Sequence, residues 1–177
     1  MRIISGIYKG QIIDSPKGHK THPMGERMRG ALFNTLGDIT DLSVLDAFAG
    51  SGALGIEALS RGASSIVFLD SEKAAYITIA QNIKKLHITN SKLTQANCAS
   101  WSDHNFETKF DIVLADPPYD HIVPEQLAKL VRNVKNSGLY VLSLPKNYMR
   151  PGFEGFNIVG DKSYADGSLV FYKNHKV

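Results

Sequence analysis

Residues 43–70 read SVLDAFAGSGALGIEALSRGASSIVFLD, and they spell out the first unit of an α/β protein. Residues 43–48 are a short apolar run with the character of a buried strand. Ala49-Gly50-Ser51-Gly52 follow as a glycine turn, and residues 53–61 set Leu54, Ala58 and Leu59 at helical spacing. Glycines allow a tight turn and a close approach of backbone to ligand, while the start of the helix offers N–H groups without intrahelical partners. A second apolar strand, residues 65–69, ends in Asp70, about twenty residues beyond the turn, where a carboxylate can accept both hydroxyls of a ribose. The unit predicts a nucleoside-cofactor site in a doubly wound sheet.

Two cofactors compete for that site. Gly50-Ser51-Gly52-Ala53-Leu54-Gly55 fits the dinucleotide fingerprint, with an acid at the expected distance. Asp46, however, stands four residues before the first glycine, where its charge would repel a pyrophosphate and attract the ammonium of an amino-acid moiety. The chain also has no length to spare for a separate substrate domain. S-adenosylmethionine, cationic at sulfur and carrying an ammonium, fits these residues better than NAD.

The chemistry is written in residues 110–119, FDIVLADPPY, an apolar strand ending in an acid, two prolines and an aromatic ring. An amino nitrogen conjugated to a flat base is a poor nucleophile, so an enzyme that alkylates it must hold the N–H groups and aim the lone pair. Asp116, an acceptor-only group once ionised, suits one N–H. A carbonyl fixed in direction by Pro117 and Pro118 suits the second, because each proline locks its own φ and restricts the residue before it. Tyr119 offers a face for stacking, worth about 1–3 kcal/mol per base. The same four letters also make an ordinary rigid turn.

Working outward, residues 2–5 and 11–13 predict two short strands of a hairpin with Tyr8, Lys9 and Gly10 in its turn, followed by a basic loop over residues 15–23. Residues 26–36 space Met28, Leu32 and Leu36 four apart, predicting an amphipathic helix that turns Arg27 and Arg29 away from its apolar stripe. Helices are expected over 72–86 and 125–134, and strands over 92–96, 111–115 and 139–144. A terminal antiparallel pair over 157–160 and 168–172 flanks the hairpin signal Asp166-Gly167. The expected architecture is five parallel strands plus that pair.

The chain has 177 residues and one cysteine, Cys98, so it suits one domain able to bury its own core and forms no intrachain disulfide. The first residues lack the apolar core of a signal peptide, no run approaches membrane-spanning length, and a cytoplasmic location is expected. Net charge is +3, yet residues 1–30 carry Arg2, Lys9, Lys17, Lys20, Arg27 and Arg29 against Asp14 and Glu26, a balance of +4 that leaves −1 for the remainder. A basic extension on a near-neutral body reads as an attachment surface for phosphates. His19 and His22 lack a third ligand nearby in sequence, so no metal site is expected. His87, His104, His121 and His175 read as solvent-facing, Trp101 as core or rim, Tyr140 as packing, and Cys98 as a neighbour of the cofactor without a nucleophilic role.

Three pieces in order, RIISGIYKGQ at residues 2–11, RMRGALFNTL at 27–36 leading into LDAFAGSGALGIEALSRGA, and FDIVLADPPY, resemble the RsmD family of 16S rRNA guanine-N2 methyltransferases, nearly end to end. The resemblance implies a class I, Rossmann-like S-adenosylmethionine-dependent methyltransferase fold, a mostly parallel seven-stranded sheet with an N-terminal β-hairpin extension. Residues 1–24 would be the RNA-binding extension and 25–177 the catalytic domain. Carried over by position, Asp46, Gly50 and Gly52 hold the methionine side of the cofactor, Asp70 the ribose and Asn97 the adenine edge, with Phe48, Ser71 and Cys98 also binding the cofactor. Asp116 borders both the cofactor and the target base, and Asp116, Pro117 and Tyr119 carry catalysis. The RNA would meet Arg2, Lys9, Lys17, Lys20, Arg27, Arg29 and Tyr119. The chain departs from the family in having His22-Pro23-Met24 where Arg-Pro-Thr is usual, Asn97 where an acid is, and Asp70 where Glu is more frequent. The implied partner is 16S rRNA or the small ribosomal subunit, with the protein a monomer. Two rivals are an adenine-N6 DNA methyltransferase, which usually needs an added recognition domain, and a non-catalytic RNA-binding assembly factor, against which the intact Asp46, Gly50, Gly52 and Asp116 argue.

Overall fold

The structure, a computed structural model, describes residues 1–17 and 23–175. The elements run α1 (Glu26–Leu36), β1 (Ser43–Asp46), α2 (Ala53–Ser60), β2 (Ser65–Asp70), α3 (Lys73–Lys85), β3 (Ser91–Gln95), α4 (Cys98–His104), β4 (Phe110–Ala115), α5 (Pro124–Leu130) with a 3₁₀ turn (Val131–Asn133), β5 (Val134–Leu144), β6 (Phe156–Tyr164) and β7 (Gly167–Asn174). The sheet order is β3-β2-β1-β4-β5-β7-β6. β1 to β5 pair in parallel, and β7 runs antiparallel to both β5 and β6. This is the expected seven-stranded class I methyltransferase architecture. Chain order reverses between β1 and β4, and in such sheets ligands bind in the crevice beyond the strand ends at that reversal.

Alternation along the strands divides the core between the two faces. Val44, Ile112, Leu114 and Val141 pack with Met28, Leu32, Phe33 and Ile79 of α1 and α3. Leu45, Val113, Tyr140 and Leu142 pack with Trp101, Leu127 and Leu130 of α4 and α5. Trp101 is therefore core, and Tyr140, which donates its hydroxyl to the Leu127 carbonyl at 3.2 Å, is packing. The third glycine of the turn, Gly55, is where α2 crosses β2: a Cβ there would overlap the Phe68 ring.

The structure corrects three expectations. The N-terminal hairpin is present but short: backbone hydrogen bonds join Met1 with Ile13 and Ile3 with Gln11 on either side of the Arg2–Ile12 bridge, and Ile3 and Ile13 are buried in the core cluster of the first face. Backbone groups that would extend a strand are taken instead by α2: the N–H groups of Ile4 and Ser5 donate to the Glu57 carboxylate at 2.8 and 3.0 Å. Arg29 lies on the buried face of α1, 1% exposed. The stripe is Met28, Arg29, Leu32 and Phe33 rather than 28-32-36, so Arg29, one turn from Phe33, points inward. Helix α4 was not expected; its signal is Asn97, whose Oδ1 accepts from the N–H groups of Ala99 and Ser100 at 3.0 and 3.2 Å. Smaller shifts are that β5 begins at Val134 and that the β6–β7 turn is Ala165-Asp166. No helix among the described residues is long and apolar enough to cross a membrane.

Candidate active site

Three adjacent strands, β2, β1 and β4, deliver three carboxylates to the carboxyl edge of the sheet. Asp46 ends β1, opposite Phe68 and Leu114, so Asp70 and Asp116 each stand two residues past its partners. Asp46 is fully buried; its Oδ2 accepts from the Gly55 N–H at 2.9 Å while Oδ1 has no partner. Burial, opposed by that hydrogen bond and reinforced by the charges of Asp116 and Asp70, pushes its pKa up to about 7. A buried carboxylate oxygen without a partner is costly unless a ligand satisfies it.

The glycine turn crosses in front of these acids. Gly50 has φ +56°, and a Cβ on it would meet open space, so the backbone lies bare to the crevice. Gly52, at φ +81°, is the residue before α2 and accepts the left-handed conformation that starts the helix. Asp70 braces the turn: its Oδ2 accepts from the Gly50 N–H at 2.8 Å and its Oδ1 from the Glu72 N–H at 2.9 Å. A carboxylate has about four acceptor sites, so two remain for two hydroxyls. An acidic crevice with a buried, unsatisfied oxygen and a carboxylate with two acceptor sites fits a cation that carries a ribose. It does not fit a pyrophosphate. Among the described residues no group of three or more His, Cys, Asp or Glu is arranged to hold a metal ion.

The other expected cofactor residues differ in exposure. Phe48 is half-buried against the second core cluster, Ser71 is exposed beside Asp70, and Cys98 is buried. Burial raises the Cys98 thiol to about 12, which leaves it neutral and unreactive. Asn97 needs correction as an acceptor for the adenine amino group, because its carboxamide oxygen already accepts both cap hydrogen bonds of α4.

Beyond β4 the chain turns through residues 116–119. Asp116 is partly buried, and desolvation, offset by a hydrogen bond from Ser143, raises its pKa to about 6. Pro117 is buried, and Tyr119 is 36% exposed, with its hydroxyl 2.6 Å from Ser143 Oγ. Ser143, near the end of β5, was not anticipated, although a lone hydroxyl within the apolar run 139–144 was the available signal.

Of the expected RNA contacts, Lys9, Lys17 and Arg27 are exposed, and Arg2 is held on the surface by Glu26 at 2.9 Å. Arg29 is removed from that surface: it donates to the carbonyls of Arg2 and Met24 and lies 3.8 Å from the buried Glu57, which also binds Arg61 at 2.8 Å. Lys20, His19 and His22 lie outside the described residues. Asn82 links the N-terminal segment to the glycine turn, exchanging hydrogen bonds with Asp14 and donating to the Ser51 carbonyl at 2.9 Å.

Comparison with known proteins agrees with this geometry. A protein from Buchnera aphidicola, named ribosomal RNA small subunit methyltransferase D, is 35% identical over 158 residues, 82% of this chain and 83% of its own. The protein of the same name from Haemophilus influenzae is 31% identical over 185 residues, 98% of this chain and 94% of its own. The solved structure of the yhhF protein of Escherichia coli, named as a methyltransferase, superposes with a TM-score of 0.87 at 28% identity, covering 98% of this chain and 97% of that one. The model of the family described as conserved hypothetical protein 95 matches residues 1–173. On that match and on these relatives, the chain belongs to the conserved hypothetical protein 95 family, the family of the ribosomal RNA small subunit methyltransferase D proteins.

Proposed function

We propose that this protein methylates the exocyclic N2 amine of one guanine in small-subunit ribosomal RNA, with S-adenosylmethionine as donor. The observation that carries the reading is the placement of Asp116, Pro117 and Tyr119 beside the acidic crevice at the β1/β4 reversal. When bound, S-adenosylmethionine supplies an electrophilic methyl group on a cationic sulfur. Asp46 offers its unpartnered oxygen to the ammonium of such a donor, and Asp70 its remaining acceptor sites to the ribose. Tyr119 stacks on the unpaired guanine. Asp116 accepts one amino hydrogen and the carbonyl region of Pro117 the second, which leaves the nitrogen lone pair directed at the crevice. Rate then comes from positioning and from fixed charges rather than from a general base, because the alkylated nitrogen loses its extra proton readily to water. The names of the family's members support ribosomal RNA as the acceptor, and the exposed Lys9, Lys17 and Arg27 support phosphate contacts.

The test is to incubate the protein with labelled S-adenosylmethionine and unmodified small subunits or their assembly intermediates, digest the RNA and identify the labelled nucleoside. N2-methylguanosine at one position is expected. Label in another nucleoside, or none in the RNA, would refute the guanine assignment.

A further inference from the structure

We infer that Ser143 is a positioning residue for methyl transfer: through one hydroxyl, the end of β5 holds the Asp116 carboxylate and the Tyr119 ring in a fixed mutual arrangement. The inference rests on the proposed role of Asp116 as acceptor of an amino hydrogen.

Ser143 is 1% exposed within an apolar strand, a costly place for a hydroxyl unless it is fully hydrogen-bonded. Its position is set by sheet register. β4 and β5 pair Ala115 with Leu142, so the next residues in each chain, Asp116 and Ser143, emerge together at the carboxyl edge. Ser143 Oγ lies 2.6 Å from the Tyr119 hydroxyl, the strand register sets it next to Asp116, and a Ser143 hydrogen bond is what lowers the Asp116 pKa against burial. The direction of this chain follows from the groups themselves. An ionised carboxylate only accepts, so the single proton of Ser143 goes to Asp116, and the Tyr119 O–H donates to Ser143. Such chains polarise each other, and removing the central member disconnects both ends.

The β6–β7 hairpin closes the arrangement from the other side. A Cβ at Gly167 would overlap the Tyr119 hydroxyl and fall 2.9 Å from the Leu144 carbonyl, so the ring edge is pressed against bare backbone. Two consequences follow for the reaction. The stacking face of Tyr119 is fixed before the base arrives, which lowers the ordering cost of binding. The hydrogen bond from Ser143 also favours the ionised form of Asp116, against burial, and so keeps it an acceptor at neutral pH. The titratable groups around the pair are Asp46 at the end of β1, which Asp116 repels, and Asp166 in the β6–β7 turn, which acts on Tyr119.

The experiment compares wild type, S143A, S143T and Y119F in single-turnover methylation of small subunits across pH, with S-adenosylmethionine affinity and thermal midpoint measured for each. S143A is expected to slow transfer by about tenfold or more and to move the acid limb of the rate profile to higher pH, with donor affinity unchanged. S143T, which keeps the hydroxyl, recovers rate and profile. Y119F keeps the ring and the Ser143–Asp116 bond, so it weakens subunit binding while leaving the acid limb in place, and it judges the tether even if S143A folds poorly. A wild-type rate and acid limb in S143A would overturn the inference, as would an S143A defect lying wholly in donor affinity or a Y119F enzyme with unaltered subunit binding. A labelled nucleoside other than N2-methylguanosine would sink the guanine reading alone, since the variant comparison is made on whatever product forms.

Discussion

In the proposed mechanism two carboxylates with raised pKa values, Asp46 and Asp116, have separate tasks, one toward the donor and one toward the base. Asp46, buried and lacking a partner on Oδ1, has its pKa raised from 3.8 to about 7. It binds more protons in the folded chain than in the unfolded one between those values, so its contribution to stability falls as pH rises from near 4 towards 7. Donor binding runs the other way, because the ammonium needs the ionised form. The Asp46→Asn protein should therefore gain stability over wild type increasingly as pH rises through that window, in paired thermal melts without donor. Its donor affinity should be weak and nearly pH-independent, where that of wild type strengthens with rising pH in a calorimetric titration. Asp116 is expected to separate from Asp46 in kinetics. Asp116→Ala removes a charge-assisted bond worth roughly 1.5–3 kcal/mol, about ten- to a hundredfold in rate. Single-turnover rates should show that loss with donor affinity little changed.

At the scale of elements, α2 ties the cofactor turn to everything N-terminal of it. Its first turn carries Gly55 against Phe68 and donates to Asp46, and its last turns carry Glu57 and Ser60. Glu57 gathers the backbone of Ile4 and Ser5 together with Arg29 and Arg61, and Ser60 Oγ accepts from the Tyr8 N–H at 2.9 Å. Arg29→Ala would leave Glu57 buried with Arg61 as its remaining side-chain cation. Breaking a buried pair from one side costs about 3–5 kcal/mol, so equilibrium denaturation should show a large loss of stability, unlike Arg27→Ala on the solvent face of the same helix. Gly55→Ala should cost about 1–3 kcal/mol by overpacking and disturb donor binding as well, because the same N–H holds Asp46. A Gly55→Ala protein as stable as wild type would show that α2 can move away from β2 without loss.

For the whole molecule, the basic N-terminal segment and the reacting edge are parts of one body. Residues 1–17 reach the glycine turn through Asn82 and Met1, the latter with Ser51 Oγ 3.3 Å from its sulfur. Phosphates bound near Lys9, Lys17 and Arg27 would thus be held at a set distance from the crevice. Each of these side chains that contacts a phosphate contributes nearly one unit to the slope of log affinity against log salt. Replacing Lys9, Lys17 and Arg27 by Gln should flatten that slope by about two to three units in subunit-binding titrations. Arg2→Gln should change it less, because Glu26 already neutralises that guanidinium. The slopes of wild type, the triple variant and Arg2→Gln measured together would reveal whether the segment meets RNA with its exposed cations.

The parallel core was legible in the chain because buried strands, glycine turns and helix periodicity are local patterns. Residues 43–70 and 110–119 by themselves carried the glycine turn, the acids at the strand ends and the aromatic that follows them. Parallel pairing of the core strands followed from the βα alternation, and the antiparallel end from one turn signal. What the sequence left open depends on neighbours distant along the chain. Arg29 looked like a solvent charge because its partner, Glu57, lies 28 residues away on α2 and the centre of the apolar face of α1 is set by what it packs against. The capping role of Asn97 was hidden because a seven-residue helix leaves little periodicity to betray its start. The first N-terminal strand stops at Ile3 because Glu57 of α2 takes the N–H groups of Ile4 and Ser5. Ser143 became visible only when the β4–β5 register set it beside Asp116, since pairing of strands separated by an intervening helix is decided by tertiary packing and not by any local run of residues.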